Sequence, residues 1–110
     1  GGDYGTILSN VNSIIDIIQQ ANPSVTIIIE KLAPANSIIM VSPLTDYFDS
    51  WGEDVVNLAQ QQSTSTSQVI TVDMYTGFND SYLADVLHYK ESGAEFIANQ
   101  YYDVLVDILN

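Results

Sequence analysis

Asp85-Val86-Leu87-His88 sets a carboxylate three residues ahead of the sole histidine in 110 residues, and this pair is where the sequence is best equipped for chemistry. A neutral imidazole has an unperturbed pKa near neutrality, so it can take up a proton and return it within one catalytic cycle. The spacing suits a short turn on which the Asp85 carboxylate faces Nδ1 and fixes the tautomer, while Nε2 points outward at a nucleophile. A lone Asp and His can also be plain surface or packing residues, so the surrounding chain has to decide.

Composition narrows the possibilities. Lys31 and Lys90 stand against fourteen acidic residues, a formal net charge of -12. That field repels phosphate backbones and anionic lipid, which argues against nucleic-acid and membrane-surface partners. It fits solubility by self-repulsion, an acid or high-salt habitat, a secreted protein, or a basic partner. Cysteine is absent, so disulfides and thiolate chemistry are excluded. No apolar run approaches the roughly eighteen residues of a membrane span. No secretory leader is legible, and an opening of Gly1-Gly2-Asp3 in place of methionine reads as a processing point or a cut. With 46% hydrophobic residues, residues 1–110 are expected to form a single domain with a modest core.

The elements that must position the pair follow from periodicity. Ile7, Val11, Ile14 and Ile18, with Leu8 and Ile15 beside them, recur at helical spacing and predict a helix over residues 6–21, closed by Asn22-Pro23. The β-branched run Val25-Thr26-Ile27-Ile28-Ile29 predicts a strand covered on both faces. Ile38-Ile39-Met40-Val41 fits either a short strand or an apolar loop. A second helix is predicted from Asp46, with Phe48, Trp51, Val55 and Leu58 on one side. The polar tract 60–67 reads as a flexible surface connection. Residues 69–74 predict a second buried strand, with Tyr75-Thr76-Gly77-Phe78-Asn79 turning away from its C-terminal end, where ligands gather in open α/β sheets. Ser92-Gly93-Ala94-Glu95 fits a capping box for a last helix whose core side is Ile97, Tyr101, Val104 or Leu105, and Ile108. Alternating helices and strands imply an α/β fold with parallel strands and helical crossovers.

The strand at 69–74, the loop with Asp85-Val86-Leu87-His88, then Gly93 and Phe96-Ile97-Ala98 resemble, in this order, the C-terminal block of SGNH hydrolases, also called GDSL esterases. Ile14 to Lys31, with Gln20-Ala21-Asn22-Pro23 and the isoleucine strand, is similar to an earlier helix and strand of that family. The resemblance implies part of a three-layer α/β/α, flavodoxin-like fold lacking the N-terminal strands. It also implies a serine ester hydrolase acting on short acyl esters or acetylated sugars, with Asp85 orienting the base and His88 serving as the base. No cofactor or metal is implied. Where the family has Pro-Asn after its histidine, this chain has Tyr89-Lys90.

The family's nucleophilic serine lies in a Gly-Asp-Ser-like motif that does not occur here, since Ser9, Ser42 and Ser50 stand in other contexts. The block that supplies a glycine N–H to the oxyanion hole is missing as well. A third block would fall on Gly1-Gly2-Asp3-Tyr4, putting Asp3 where the family has an asparagine. A carboxylate repels an oxyanion that an amide would stabilise, so either that register is off or the hole is altered. The resemblance therefore implies a C-terminal half that works only with its N-terminal half, on a separate or cleaved chain, or that associates with another copy of itself. Its small-molecule partner would be an ester. The alternative is a non-catalytic binding or assembly module with an acidic surface. Asp46, Asp49, Glu53 and Asp54 offer oxygen ligands for calcium, without the spacing of an EF-hand loop. Tyr47, Phe48, Trp51, Tyr75 and Phe78 could line a sugar subsite or simply be core.

Overall fold

The computed structural model describes residues 3–110; Gly1 and Gly2 lie outside the described residues. The order is α1 (Tyr4–Ala21), β1 (Ile27–Lys31), α2 (Leu44–Gln62), β2 (Val69–Asp73), a 3-10 turn (Asp80–Tyr82) and α3 (Glu91–Leu109). β1 and β2 form a two-stranded sheet. Ile27 N–H donates to the Gln68 carbonyl at one end and Met74 N–H to the Lys31 carbonyl at the other, so the strands run parallel with α2 as the crossover. The α/β class with parallel strands is therefore what the chain adopts.

The chain divides into two compact units, and both strands and α2 contribute residues to each. The first holds the residues up to Ile29 together with Val55–Thr71. Its core gathers Ile15, Leu58, Ala59 and Val69, with Leu8, Val11, Ile27 and Ile29 packed against them. These are the positions that helical spacing on α1 and β-branched residues on the strands would turn to one side. α1 starts two residues before the expected point because Asp3 caps it, its Oδ1 accepting Thr6 N–H at 2.8 Å. The tract after α2 is more ordered than its composition suggests. Ser67 is 1% exposed, donates to the Val25 carbonyl at 2.5 Å and accepts from the Gln19 amide at 3.2 Å. Gln62, the last residue of α2, bonds to Asn12 Oδ1 at 2.8 Å. The low-complexity stretch is thus partly the end of a helix and partly a polar plug with its bonds satisfied.

The second unit holds Glu30–Asp54 and Val72–Asn110. Ala35, Val72, Met74 and Leu83 are its buried apolar residues. Side chains from the helices tie down strand backbone: Trp51 Nε1 donates to the Glu30 carbonyl at 3.0 Å and Gln100 Nε2 to the Asp73 carbonyl at 2.9 Å. The Tyr101 hydroxyl donates to the Glu30 carboxylate, and partial burial followed by that neighbour pushes the phenol up to about 12. Residues 37–39 form a turn and 40–41 are irregular in place of a strand, because the Asn36 carbonyl and side chain collect the Ile38, Ile39 and Met40 N–H groups.

Candidate active site

β2 delivers the chain to the site at Asp73, whose Oδ1 accepts from Tyr75 N–H at 2.8 Å and Thr76 N–H at 2.9 Å, starting the turn. Partial burial opposes ionisation of this carboxyl, but the Thr76 and Tyr75 bonds and the charge of Lys31 hold it below the usual range. Gly77 follows at φ +80, a left-handed conformation that favours glycine. Asn79 then caps the 3-10 turn through its side chain and the Ser81 N–H, 2.8 Å away.

A short antiparallel hairpin presents the catalytic candidates. Leu83 bridges Tyr89, Ala84 N–H donates to the His88 carbonyl at 2.6 Å, and Lys90 N–H to the Tyr82 carbonyl at 2.8 Å. Phe78 lies edge-on to Tyr82, Tyr89 and Phe96, and Tyr82 stacks on Phe96 at 5.3 Å, a packed aromatic base under an exposed turn. Lys90 leads straight from this pairing into α3, so that Ala94 N–H bonds to the Lys90 carbonyl and Glu91 opens the helix with Lys90 as a cap lacking a side-chain bond. The expected capping box at Ser92 and Glu95 therefore does not form: hairpin pairing sets the helix start two residues earlier.

At the tip, Asp85 uses its two oxygens differently. Oδ1 accepts from Leu87 N–H at 2.8 Å and His88 N–H at 2.7 Å; Oδ2 lies 2.8 Å from His88 Nδ1. The backbone bond from His88, then that from Leu87, then the ring hold the Asp85 carboxyl down at about 2. An ionised carboxylate only accepts, so Nδ1 must carry the proton and the neutral ring keeps Nε2 as a base. Nε2 has no hydrogen-bond partner among the described residues, and the His88 side chain is 79% exposed against 54% for Asp85. The arrangement can accept a proton from a group presented from outside. No serine hydroxyl bonds to the ring among the described residues; Ser42 Oγ donates to Asp46 at 2.8 Å instead.

The remaining candidates have other partners or none that makes a site. Asp3, in the first unit, is the α1 cap, its carboxyl lowered by the bonds from Thr6. Among the described residues no three His, Cys, Asp or Glu side chains gather as metal ligands, and Asp46, Asp49, Glu53 and Asp54 are strung along α2. Phe48 and Tyr75 are stacked, 6.1 Å apart, beside a recess of about 290 Å³ that Lys31, Asp49, Gly52 and Glu53 also line. Partial burial and then Asp49 raise the Tyr75 phenol. Trp51 is engaged with Glu30, Phe78 belongs to the aromatic base, and Tyr47 is exposed. Sequence reasoning missed Asn36, Ser37 and Asp80, which bond to the hairpin and its approach; their only signal was the turn-forming habit of Asn, Ser and Asp.

Known structures share this architecture. Similar to it, at a TM-score of 0.81 and 24% identity, is the crystal structure of a carbohydrate esterase family 3 protein from Talaromyces cellulolyticus. An acetyl esterase variant determined with an acetate ion is similar to the same degree. The likeness establishes the fold. It covers 97% of this chain and 50% of each of those chains, so the chain spans about half the length of the esterases it matches. No family model matches the chain, and no curated protein does. Among the described residues no helix is long and apolar enough to cross a membrane.

Proposed function

We propose that this chain forms the C-terminal half of one SGNH-type ester hydrolase domain, with His88 as the base, Asp85 as its orienting partner, and the nucleophilic serine on a polypeptide segment outside this sequence. The observation that carries the reading is the 2.8 Å contact between Asp85 Oδ2 and His88 Nδ1, made with Nε2 exposed on a fold that resembles half of an esterase. Nε2 takes the serine proton as the serine oxygen attacks the ester carbonyl carbon, and Asp85 stabilises the imidazolium. Nε2 then gives that proton to the departing alcohol oxygen as the carbon–oxygen bond breaks, leaving an acyl-serine. Water attacks the acyl carbon as Nε2 takes its proton, the bond from that carbon to the serine oxygen breaks as Nε2 returns the proton to the serine, and the carboxylic acid leaves. The substrate class is a short acyl ester or a carbohydrate acetyl ester, in keeping with what the two similar structures are named for. No step is assigned to Asp3, because an ionised carboxylate cannot donate to an oxyanion.

Two features support a partner that completes the fold. Ile27 N–H faces β2, so Ile28 turns its backbone groups to the other edge of β1, which pairs with no strand among the described residues. On α1, Ile7, Ile14, Ile17 and Ile18 are exposed, more apolar surface than a helix with its full complement of neighbours presents. The alternatives are self-association, or an assembly module whose acidic surface, at net charge -12, meets a basic partner.

The test supplies the missing half. This chain is mixed with the complementary half of the Talaromyces cellulolyticus esterase, or joined to it in one chain, and p-nitrophenyl acetate hydrolysis is followed. Hydrolysis that His88→Ala abolishes supports the reading. Activity undiminished by His88→Ala removes His88 from the mechanism, and stable binding without turnover favours the assembly module.

A further inference from the structure

We infer that Asp80 is a positioning residue for the Asp85–His88 pair, acting through the adjoining residues Ser37 and Asn36. Asp80 opens the 3-10 turn that leads to the hairpin. Its Oδ1 accepts from Ser37 N–H at 2.9 Å and its Oδ2 from the Ser37 hydroxyl. One carboxylate thereby grips one residue through both oxygens, across a sequence separation of 43. The next residue back, Asn36, donates its own N–H to the Val86 carbonyl at 2.9 Å. Val86 is the residue between Asp85 and Leu87, so this bond lands on the tip of the turn.

Asn36 is itself fixed. Its Oδ1 accepts from Ile38 N–H at 2.9 Å, and its carbonyl from the N–H groups of Ile39 and Met40 at 3.0 and 3.1 Å. Loop 36–40 is therefore a knot of local bonds, tied on one side to Asp80 and on the other to Val86.

The turn has other bonds, but they do a different job. Those from Asp85 to Leu87 and His88 orient carboxylate and ring relative to each other. The Leu83–Tyr89 bridge and the Lys90–Tyr82 bond hold the stem. Residues 85–87 make one hydrogen bond to a segment outside the hairpin among the described residues, and it comes from Asn36. Among the hydrogen bonds of the described residues, the brace is then the one that resists sway of the tip as a body. Sway matters to a base, because displacing a reacting group by ~1 Å costs on the order of a hundredfold in rate. The inference rests on the proposed role of His88 only for what the pair does; the brace itself is tested on the chain alone.

Asp80 and Ser37 are exposed, so altering them removes the bonds without opening a cavity. The probe is hydrogen exchange at the Asn36 amide, whose bond to the Val86 carbonyl opens when the tip sways as a body. Asp80→Ala is expected to accelerate it by about tenfold, the size of one lost local constraint. Ser37→Thr, which keeps N–H and hydroxyl, is expected to hold it at the parent rate. Asp46→Ala removes a comparable exposed bond, the 2.8 Å contact with Ser42 Oγ, and is expected to leave the Asn36 amide unchanged. Parent-like exchange in Asp80→Ala, or equal acceleration by Asp46→Ala, overturns the inference. Because the readout is exchange, it fails or succeeds separately from ester hydrolysis.

Discussion

Gly93 approaches the Tyr82 carbonyl so closely that a Cβ at position 93 would overlap its oxygen, with Tyr82 Cβ next at 3.1 Å. This contact joins the first turn of α3 to the base of the hairpin that carries Asp85 and His88. Two effects oppose each other in Gly93→Ala. Helix propensity alone favours alanine by about 0.5–1 kcal/mol, whereas overpacking against backbone costs about 1–3 kcal/mol. The contact is with a carbonyl that already accepts from Lys90 and has little room to move, so the steric cost wins. A lower urea midpoint than the parent is expected, and a raised midpoint would show that α3 shifts without penalty.

The pH dependence of the turn follows from Asp85. Its carboxyl is held at about 2, against an ordinary 3.8. A folded pKa below the unfolded one contributes stability that is complete above the unfolded value and is lost as pH falls through the folded one. The window is therefore about pH 4 down to about pH 2. Asp85→Asn should melt below the parent at pH 5, and the gap should shrink at pH 2; the carboxyl carbon signal of Asp85 should titrate near the lower end of that window. A midpoint near 4 would mean that the Leu87 and His88 amides do not hold the carboxylate in solution.

How much of this was legible depends on the range over which each feature is determined. The helices at 6–21 and from 46 showed through their apolar spacing, and the strands through β-branched runs, because those are local properties. Boundaries were set by partners. β1 runs from Ile27 to Lys31 and not from Val25, since its length is decided by where Gln68 and Met74 sit opposite it. α3 begins at Glu91 because Lys90 pairs with Tyr82. The position of the Asp85–His88 pair was readable from three-residue spacing, whereas Asn36, Ser37 and Asp80 were not, since residues 43 apart carry no periodicity. Ser67 was hidden for the opposite reason: a polar tract looks like solvent-facing linker unless one knows that the Val25 carbonyl and the Gln19 amide converge on it.

Ser67 is accordingly a sensitive position in a stretch that looks permissive. Ser67→Ala strands the Val25 carbonyl and leaves one Gln19 donor with its Gln62 bond alone. Loss of a bond to a buried group costs about 1–3 kcal/mol, while Ser65→Ala, at an exposed neighbour, should stay within about 0.5 kcal/mol of the parent. Chemical denaturation of the two variants checks this. Equal midpoints would show that water replaces the Ser67 hydroxyl without cost.

Ile14 and Ile15 are adjacent on α1, yet Ile14 is 53% exposed and Ile15 is 2% exposed. Ile15→Ala removes a side chain from the core formed with Leu58, Ala59 and Val69 and should cost about 2–5 kcal/mol. In the isolated chain, Ile14→Ala should cost under about 1 kcal/mol, because the side chain is largely in water already. If Ile14 is an anchor for the half that completes the fold, Ile14→Asp should leave the isolated chain folded by circular dichroism. It should nevertheless weaken association with the complementary half by tenfold or more, about 1.4 kcal/mol or above. Titration calorimetry separates the two effects. Undiminished affinity in Ile14→Asp would place the docking surface away from α1, leaving the open edge of β1 at Ile28 to account for any association by itself.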